Sequence, residues 1–256
     1  MIETNVTAIP AFADNYIWLI RTTGKTCAIV DPGDAAPVLD FLAEHDLDLR
    51  YVLITHHHAD HIGGLHELQS RFDAEVFGPE DSRIGSLDHV VREGDKVVLP
   101  DLELEYDVIE VPGHTRSHIA YYGHGQLFCG DTLFSVGCGR LFEGTAEQMQ
   151  RSLDKLAVLP ADTLVYCAHE YTLGNCRFAV EVEPGNDALL EKLQSVEAAR
   201  AAGEVTIPSR LGEELQVNPF LRSRHENVIK AAKNRSPRAS AGTSTLAVIR
   251  DWKDQW

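Results

Sequence analysis

Residues 56–61 read His-His-His-Ala-Asp-His, four histidines and a carboxylate within six positions. With Thr55 between, they follow Tyr51-Val52-Leu53-Ile54, an apolar run that reads as a buried strand, and Gly63-Gly64 comes just after. Imidazole and carboxylate are together the ligand set of a catalytic transition-metal site. The loop at the end of a strand is where a rigid scaffold presents functional side chains. A chain built this way has to bring further ligands to the same rim, which restricts it to folds whose strand ends converge.

Three later segments repeat the arrangement of a polar ligand just past an apolar run. Val111-Pro112-Gly113-His114-Thr115 follows Leu104–Val111, Phe128-Cys129-Gly130-Asp131-Thr132 follows Leu127–Cys129, and Tyr166-Cys167-Ala168-His169-Glu170-Tyr171 follows Thr163–Cys167. If these strands share a sheet, their loops meet at one edge. Glycine before His114 and Asp131, and alanine before His169, leave room for backbone to approach an ion.

Short apolar runs at Ile17–Ile20 and Cys27–Val30, joined through Thr22-Thr23-Gly24-Lys25, predict a hairpin. Ala36–His45 predicts a helix with Val38, Leu39 and Leu42 on one face, and a second helix passes through Leu65 and Leu68. Val97–Leu99 and Ile119–Tyr122 add strands. Thr145-Ala146-Glu147-Gln148 is a capping-box start for a helix that buries Met149, Leu153 and Leu156. From Tyr171 onward the texture turns helical: Leu173–Val182, Asp187–Ala202 with the stripe Leu189, Leu190, Leu193 and Val196, and His225–Lys233. Arg235–Thr245 reads as a loop before a short last helix into Trp252. The expected division is a mixed α/β domain over residues 1–170 and a smaller, mostly helical domain over 171–256.

With 256 residues, 44% apolar and 24% charged, the composition is that of an ordinary globular chain with a large core. No apolar run approaches the roughly 18 residues of a membrane helix. Met1–Pro10 lacks the basic and apolar regions of a secretory signal. Five cysteines without a Cys-x-x-Cys spacing predict small buried hydrophobes in a reducing cytoplasm rather than a disulfide framework. The formal charge of −16 disfavours nucleic acid and acidic membranes as partners. An anionic small substrate would then need a local basic pocket.

The run from His56 to His61 resembles the His-x-His-x-Asp-His signature of the metallo-β-lactamase superfamily, with Gly-His, Gly-Asp-Thr and a late histidine in order. More narrowly, the chain is similar to the glyoxalase II, or hydroxyacylglutathione hydrolase, family of bacterial type. The similarity is carried by Gly137-Cys138-Gly139-Arg140-Leu141-Phe142-Glu143-Gly144-Thr145 and Cys167-Ala168-His169-Glu170-Tyr171-Thr172. It continues in Ile9-Pro10-Ala11-Phe12, Asp14-Asn15-Tyr16, Asn218-Pro219-Phe220-Leu221-Arg222 and Lys253-Asp254-Gln255-Trp256.

The resemblance implies an α+β fold, an αββα sandwich followed by a smaller helical domain, and a binuclear site. Site one would use His56, His58 and His114; site two would use Asp60, His61 and His169; Asp131 would bridge. His57 and His118 are then structural or supporting, and His45, His66, His89, His124 and His225 are surface residues. Two divalent ions, zinc first and iron or manganese equally compatible with the donors, would supply a bridging hydroxide and polarise a carbonyl. Asp60 and Asp131 would serve it as ligands, Asp60 with a possible secondary part in orienting it. Thiolate is a good leaving group, with a thiol pKa of about 8.5, and no Gly-x-Ser-x-Gly elbow is present.

The implied substrate is S-D-lactoylglutathione, cut to glutathione and D-lactate by a monomeric cytoplasmic enzyme. Arg140, Phe142, Tyr171, Arg250 and Lys253 fall where the family contacts glutathione. Alternatives are an Arg140–Glu143 ion pair and, for Arg250 and Lys253, a solvated helix face. A rival within the superfamily is a glutathione-persulfide dioxygenase with one iron on His56, His114 and Asp131, which leaves His61, His169 and the helical part unused. A metal-stabilised binding protein is disfavoured, because structural zinc sites are closed and rich in cysteine.

Overall fold

The protein is described here by a computed structural model covering residues 4–256, so the first residues of the Met1–Pro10 stretch lie outside the described region. The chain forms two compact units. The first takes the residues up to Glu110 together with Ser117–Gly130; the second takes Val111–Arg116 and Asp131–Trp256.

In the first unit, β1 (Asn5–Ala11), β2 (Asn15–Arg21) and β3 (Thr26–Val30) form an antiparallel meander, with Thr7 opposite Leu19 and Leu19 opposite Ile29. After α1 (Ala35–His45), β4 (Asp48–Leu53) pairs parallel with β3. The chain then runs through α2 (Ala59–Ile62) and α3 (Leu65–Arg71) to β5 (Glu75–Gly78), and β5 and β6 (His89–Val90) extend the parallel part. Strands β3, β4 and β5 therefore end on one edge, and the loops opening at Asp31, Thr55 and Pro79 leave from that edge. Carboxyl ends of parallel strands are where open sheets place their sites.

Helices α1 and α3 cover one face, where Ile17, Leu19, Ile29, Val52 and Ile54 meet Val38, Leu42, Leu65 and Leu68. Trp18, Ile20, Ala28 and Leu53 on the opposite face are buried as well, the pattern of a sheet covered on both sides. A second, antiparallel set holds β7 (Lys96–Leu99), β8 (Leu104–Glu110), β9 (Ile119–Gly123) and β10 (Gln126–Gly130). Tyr121 of β9 ties it to the first, its hydroxyl donating to Ile54 O at 2.8 Å. The Ile119 amide also donates to Thr55 O at 3.0 Å, which brings the start of β9 to the histidine loop.

The second unit contains a small hairpin, β11 (Leu133–Phe134) and β12 (Gly137–Cys138). The capping box forms as expected at the head of α4 (Ala146–Ala157): Thr145 Oγ1 accepts from Gln148 N, and the Gln148 side chain accepts from Thr145 N. Strand β13 (Leu164–Cys167) pairs with β14 (Ser209–Arg210). Helices α5 (Thr172–Val182), α6 (Asp187–Ala201), α7 (Leu211–Val217), α8 (Glu226–Arg235) and α9 (Thr243–Gln255) complete the unit.

Two local expectations change. Leu190 is 41% exposed, and α6 buries Leu189 and Val196 instead of a four-residue stripe. The last helix starts earlier and runs longer than its composition suggests. Gly242 at φ 80 turns the chain, Thr245 Oγ1 bonds Ser240 O at 2.9 Å, and Leu246 and Ile249 bury. Tertiary burial overrides the weak helix propensity of Thr243-Ser244-Thr245.

Candidate metal centre and substrate pocket

In the first unit, Asp31 organises the histidine loop from the end of β3. It sits at φ 52, buried, and its Oδ1 accepts from Thr55 N at 2.7 Å. Its Oδ2 accepts from Thr55 Oγ1 at 2.7 Å and from His61 Nδ1 at 2.9 Å. A carboxylate only accepts, so Nδ1 of His61 carries a proton, and in the neutral ring Nε2 is the lone-pair atom. Thr55 Oγ1 has spent its hydrogen on Asp31, so at 3.0 Å it accepts from His56 Nδ1. In the neutral ring His56 Nε2 is then the lone-pair atom as well, and it stands 3.1 Å from His58 Nδ1. One carboxylate thus sets the tautomers of two candidate ligands, the supporting pattern that metal-bound histidines use.

Asn15 Nδ2 donates to Asp60 Oδ2 at 3.1 Å, and that oxygen is 3.7 Å from His61 Nε2. A Cβ at Gly33 would fall 1.9 Å from Asp60 O, so only glycine lets the turn after β3 lie against this loop. His118 stacks on His56 with ring centroids 4.5 Å apart. His57 turns instead toward Asp81, 3.5 Å away. Asp81 is held by Arg83 and by Ser117 Oγ at 2.6 Å, and these partners keep its carboxyl well below the usual carboxylate range.

In the second unit, His114 Nδ1 donates to Arg140 O at 2.9 Å, which again directs Nε2 outward. Asp131 Oδ2 lies 3.4 Å from that Nε2, and Asp131 Oδ1 lies 3.3 Å from His169 Nε2. One carboxylate therefore offers a different oxygen to each of two imidazoles. Gly139 makes this possible, since a Cβ there would be 1.9 Å from Asp131 O. Tyr171 stacks flat on His169 at 4.7 Å, and Phe142 stands edgewise to His114 at 5.3 Å.

A cavity of about 640 Å³ opens beside these groups, lined by His114, Asp131, Phe142 and Tyr171 at one part and by Arg140, Arg250 and Lys253 at another. That volume suits a small ligand. Arg250 is buried and donates to Cys138 O at 2.7 Å and to Asp254 Oδ1 at 3.0 Å. Arg140 is exposed, with Nε 3.3 Å from the same Asp254 oxygen, so its carboxylate neighbour is Asp254; Glu143 accepts from Arg116 N. Burial, reinforced by the Arg250 charge, lowers the Lys253 amine from its usual range to about 7. Cys138 also lines the cavity, and burial pushes its thiol up, so it is no nucleophile at neutral pH.

Sequence reasoning missed Asp31, Asn175 and Trp256, all of which the site or cavity uses. Asp31 carried the same signal as the ligands, a carboxylate at the end of an apolar strand. Trp256 stood in the terminal run that carries the resemblance, whereas Asn175 carried no signal beyond its place in a helical segment.

A model of the metallo-beta-lactamase superfamily matches residues 12–169, and one of the hydroxyacylglutathione hydrolase C-terminus matches residues 170–256. The hydroxyacylglutathione hydrolase of Aliivibrio fischeri is 52% identical over 253 residues, covering 98% of this chain and 99% of that protein. That of Pseudomonas fluorescens is 48% identical over 254 residues, again covering 98% and 99%. Among solved structures, ETHE1 from Myxococcus xanthus superposes with a TM-score of 0.67 at 25% identity, covering 98% of both chains. With matches across both parts of the chain and relatives near half identity over its length, the chain belongs to the hydroxyacylglutathione hydrolase family of the metallo-β-lactamase superfamily.

Proposed function

We propose that this hydrolase cuts the thioester of S-D-lactoylglutathione and related 2-hydroxyacylglutathiones, releasing glutathione and the 2-hydroxy acid. The observation that carries this reading is a single cavity lined both by metal-type donors and by three cationic side chains in a strongly acidic protein. The relatives' shared name supports the substrate class.

Two divalent ions, zinc in the first instance, would be held by His56, His58 and His114 and by Asp60, His61 and His169, with Asp131 shared between them. The donor set fits: three imidazoles are fixed through Nδ1 by oxygen acceptors, and the Asp131 carboxylate faces two imidazoles with separate oxygens. When bound, such a pair supplies Lewis acidity and a water acidified toward neutral pH.

The remaining work belongs to the chain. Asp31 and the Arg140 carbonyl hold the imidazoles in one orientation. Arg140, Arg250 and Lys253 receive the two carboxylates of the glutathione moiety, and Phe142 and Tyr171 form the aromatic border of the pocket beside His114 and His169. The departing thiolate has a parent pKa of about 8.5, so it leaves without obligatory protonation. Residues 1–170 would supply the chemistry and 171–256 most of the recognition. A monomer in the cytoplasm is the expected setting; no helix among the described residues is long and apolar enough to cross a membrane.

The test is thiol release from S-D-lactoylglutathione beside elemental analysis of the purified protein. Thiol release with two ions per chain supports the reading. One iron per chain with oxygen consumption on glutathione persulfide would replace it with the oxidative alternative.

A further inference from the structure

The run Asn218-Pro219-Phe220-Leu221-Arg222 is one of the stretches that carry the family resemblance, and the proposed reaction gives it no part. Its first residue is fully buried, and its amide meets the hairpin between β11 and β12. Asn218 Nδ2 lies 3.2 Å from Phe134 O, 3.0 Å from Gly137 O and 3.0 Å from Glu214 Oε2. The amide orientation is fixed, because Oδ1 accepts from Phe220 N at 3.0 Å.

Between those two carbonyls sits a two-residue turn, Ser135-Val136, with Val136 at φ 56. That is left-handed backbone, which a β-branched residue avoids and which turns of this kind reserve for glycine or asparagine. Three buried side chains hold it there. Glu214 Oε2 accepts from Val136 N at 2.8 Å, Asn175 Nδ2 donates to Ser135 O at 2.8 Å, and Asn218 bridges the two ends. Val136 itself packs among Cys176, Ala179 and Val217.

Both arms of the turn line the proposed substrate cavity. Phe134 presents its ring to His169 and Tyr171, and Cys138 O accepts from Arg250. Asn175 also accepts from Lys253 Nζ, and Phe220 lies beneath the Arg250 guanidinium at 5.2 Å.

We infer that Asn218 and Glu214 are positioning residues for the thioester pocket, holding the Ser135-Val136 turn in its left-handed form so that Phe134 and Cys138 face the ligand and Arg250. The inference rests on the assignment of this pocket to a glutathione thioester. Asn218→Asp keeps the shape but turns an acceptor toward two carbonyls and the Glu214 carboxyl group. Its KM for S-D-lactoylglutathione rises at least about 10-fold, with kcat and metal content within about 2-fold of wild type. Affinity for S-methylglutathione, which cannot be hydrolysed, falls in parallel by calorimetry. Val136→Gly removes the need for the clamp and restores much of that affinity in the Asn218→Asp background.

Unchanged KM and affinity, or an equal loss of kcat and metal, overturns the inference while the hydrolase reading stands. A wild-type protein that neither releases thiol nor binds S-methylglutathione sinks the hydrolase reading instead. The clamp is then judged by denaturant unfolding of the Asn218→Asp and Val136→Gly double-mutant cycle, where additive effects overturn it. Asn218→Ser takes the place of Asn218→Asp in both arms if the latter does not fold.

Discussion

Asp31 accepts the Nδ1 proton of His61 at 2.9 Å, with both side chains buried, and the same carboxylate reaches His56 through Thr55 Oγ1. Two imidazoles are thereby fixed in orientation through their Nδ1 atoms. Asp31→Asn is the mildest disruption, since asparagine tolerates the left-handed backbone at this position. It removes the charge and keeps one acceptor. Metal affinity is expected to fall about 10- to 100-fold, read by competition with a calibrated chelator. Unchanged affinity would show that the carboxylate does not govern these ligands.

Gly139→Ala should be severe. Its Cβ would stand 1.9 Å from Asp131 O and 3.1 Å from His114 Nδ1, so the loop or the carboxylate has to move. A displacement near 1 Å at reacting groups costs on the order of 10²-fold in rate, and overpacking costs about 1–3 kcal/mol of stability. Gly185→Ala meets nothing within 4 Å and serves as the control. Thiol-release rate and urea midpoint are the measurements.

Lys253 gives a pH dependence whose sign is fixed by its depressed amine, at about 7 against 10.5 for the free side chain. Below pH 7 both folded and unfolded chains carry the charge, and the full cost of burying it is present. Between about 7 and 10.5 the unfolded chain holds more protons, so this cost falls as pH rises. Lys253→Met should therefore raise the melting temperature most at pH 6–7, with the gap closing toward pH 10.

Substrate binding has the opposite trend. An anionic ligand needs the protonated amine, so KM should climb as pH passes 7, and Lys253→Arg should flatten that climb. A KM independent of pH in the wild type would remove Lys253 from carboxylate recognition.

Metal removal should destabilise as well as inactivate. An ion that binds only the folded chain at 100 times its Kd contributes about 2.7 kcal/mol. Dialysis against a chelator should lower the melting temperature, and restoring zinc should return it. No shift would mean that the histidine loop holds no ion in the folded protein.

The ligand run was legible because strand ends announce themselves: an apolar run, then small residues, then imidazole or carboxylate. The capping box at Thr145 was legible for the same local reason, as its two hydrogen bonds span only three residues. Asp31 shows the limit. Its neighbours Pro32 and Gly33 read as a chain break, and its role depends on Thr55 and His61, 24 and 30 positions away. Leu190 failed for a related reason, because a helix can carry more apolar residues than its neighbours cover.

The local pattern of the chain by itself determined the donor types, their order and the strand-end loops that carry them, since each depends on neighbours a few positions away. Tertiary structure alone decided which oxygens fix Nδ1 of His56, His61 and His114, that Val136 is held left-handed by Glu214 and Asn218, and that Lys253 loses much of its basicity. Each of these comes from side chains far apart in sequence brought within hydrogen-bonding or desolvating distance, and such pairings leave no periodic trace in the chain.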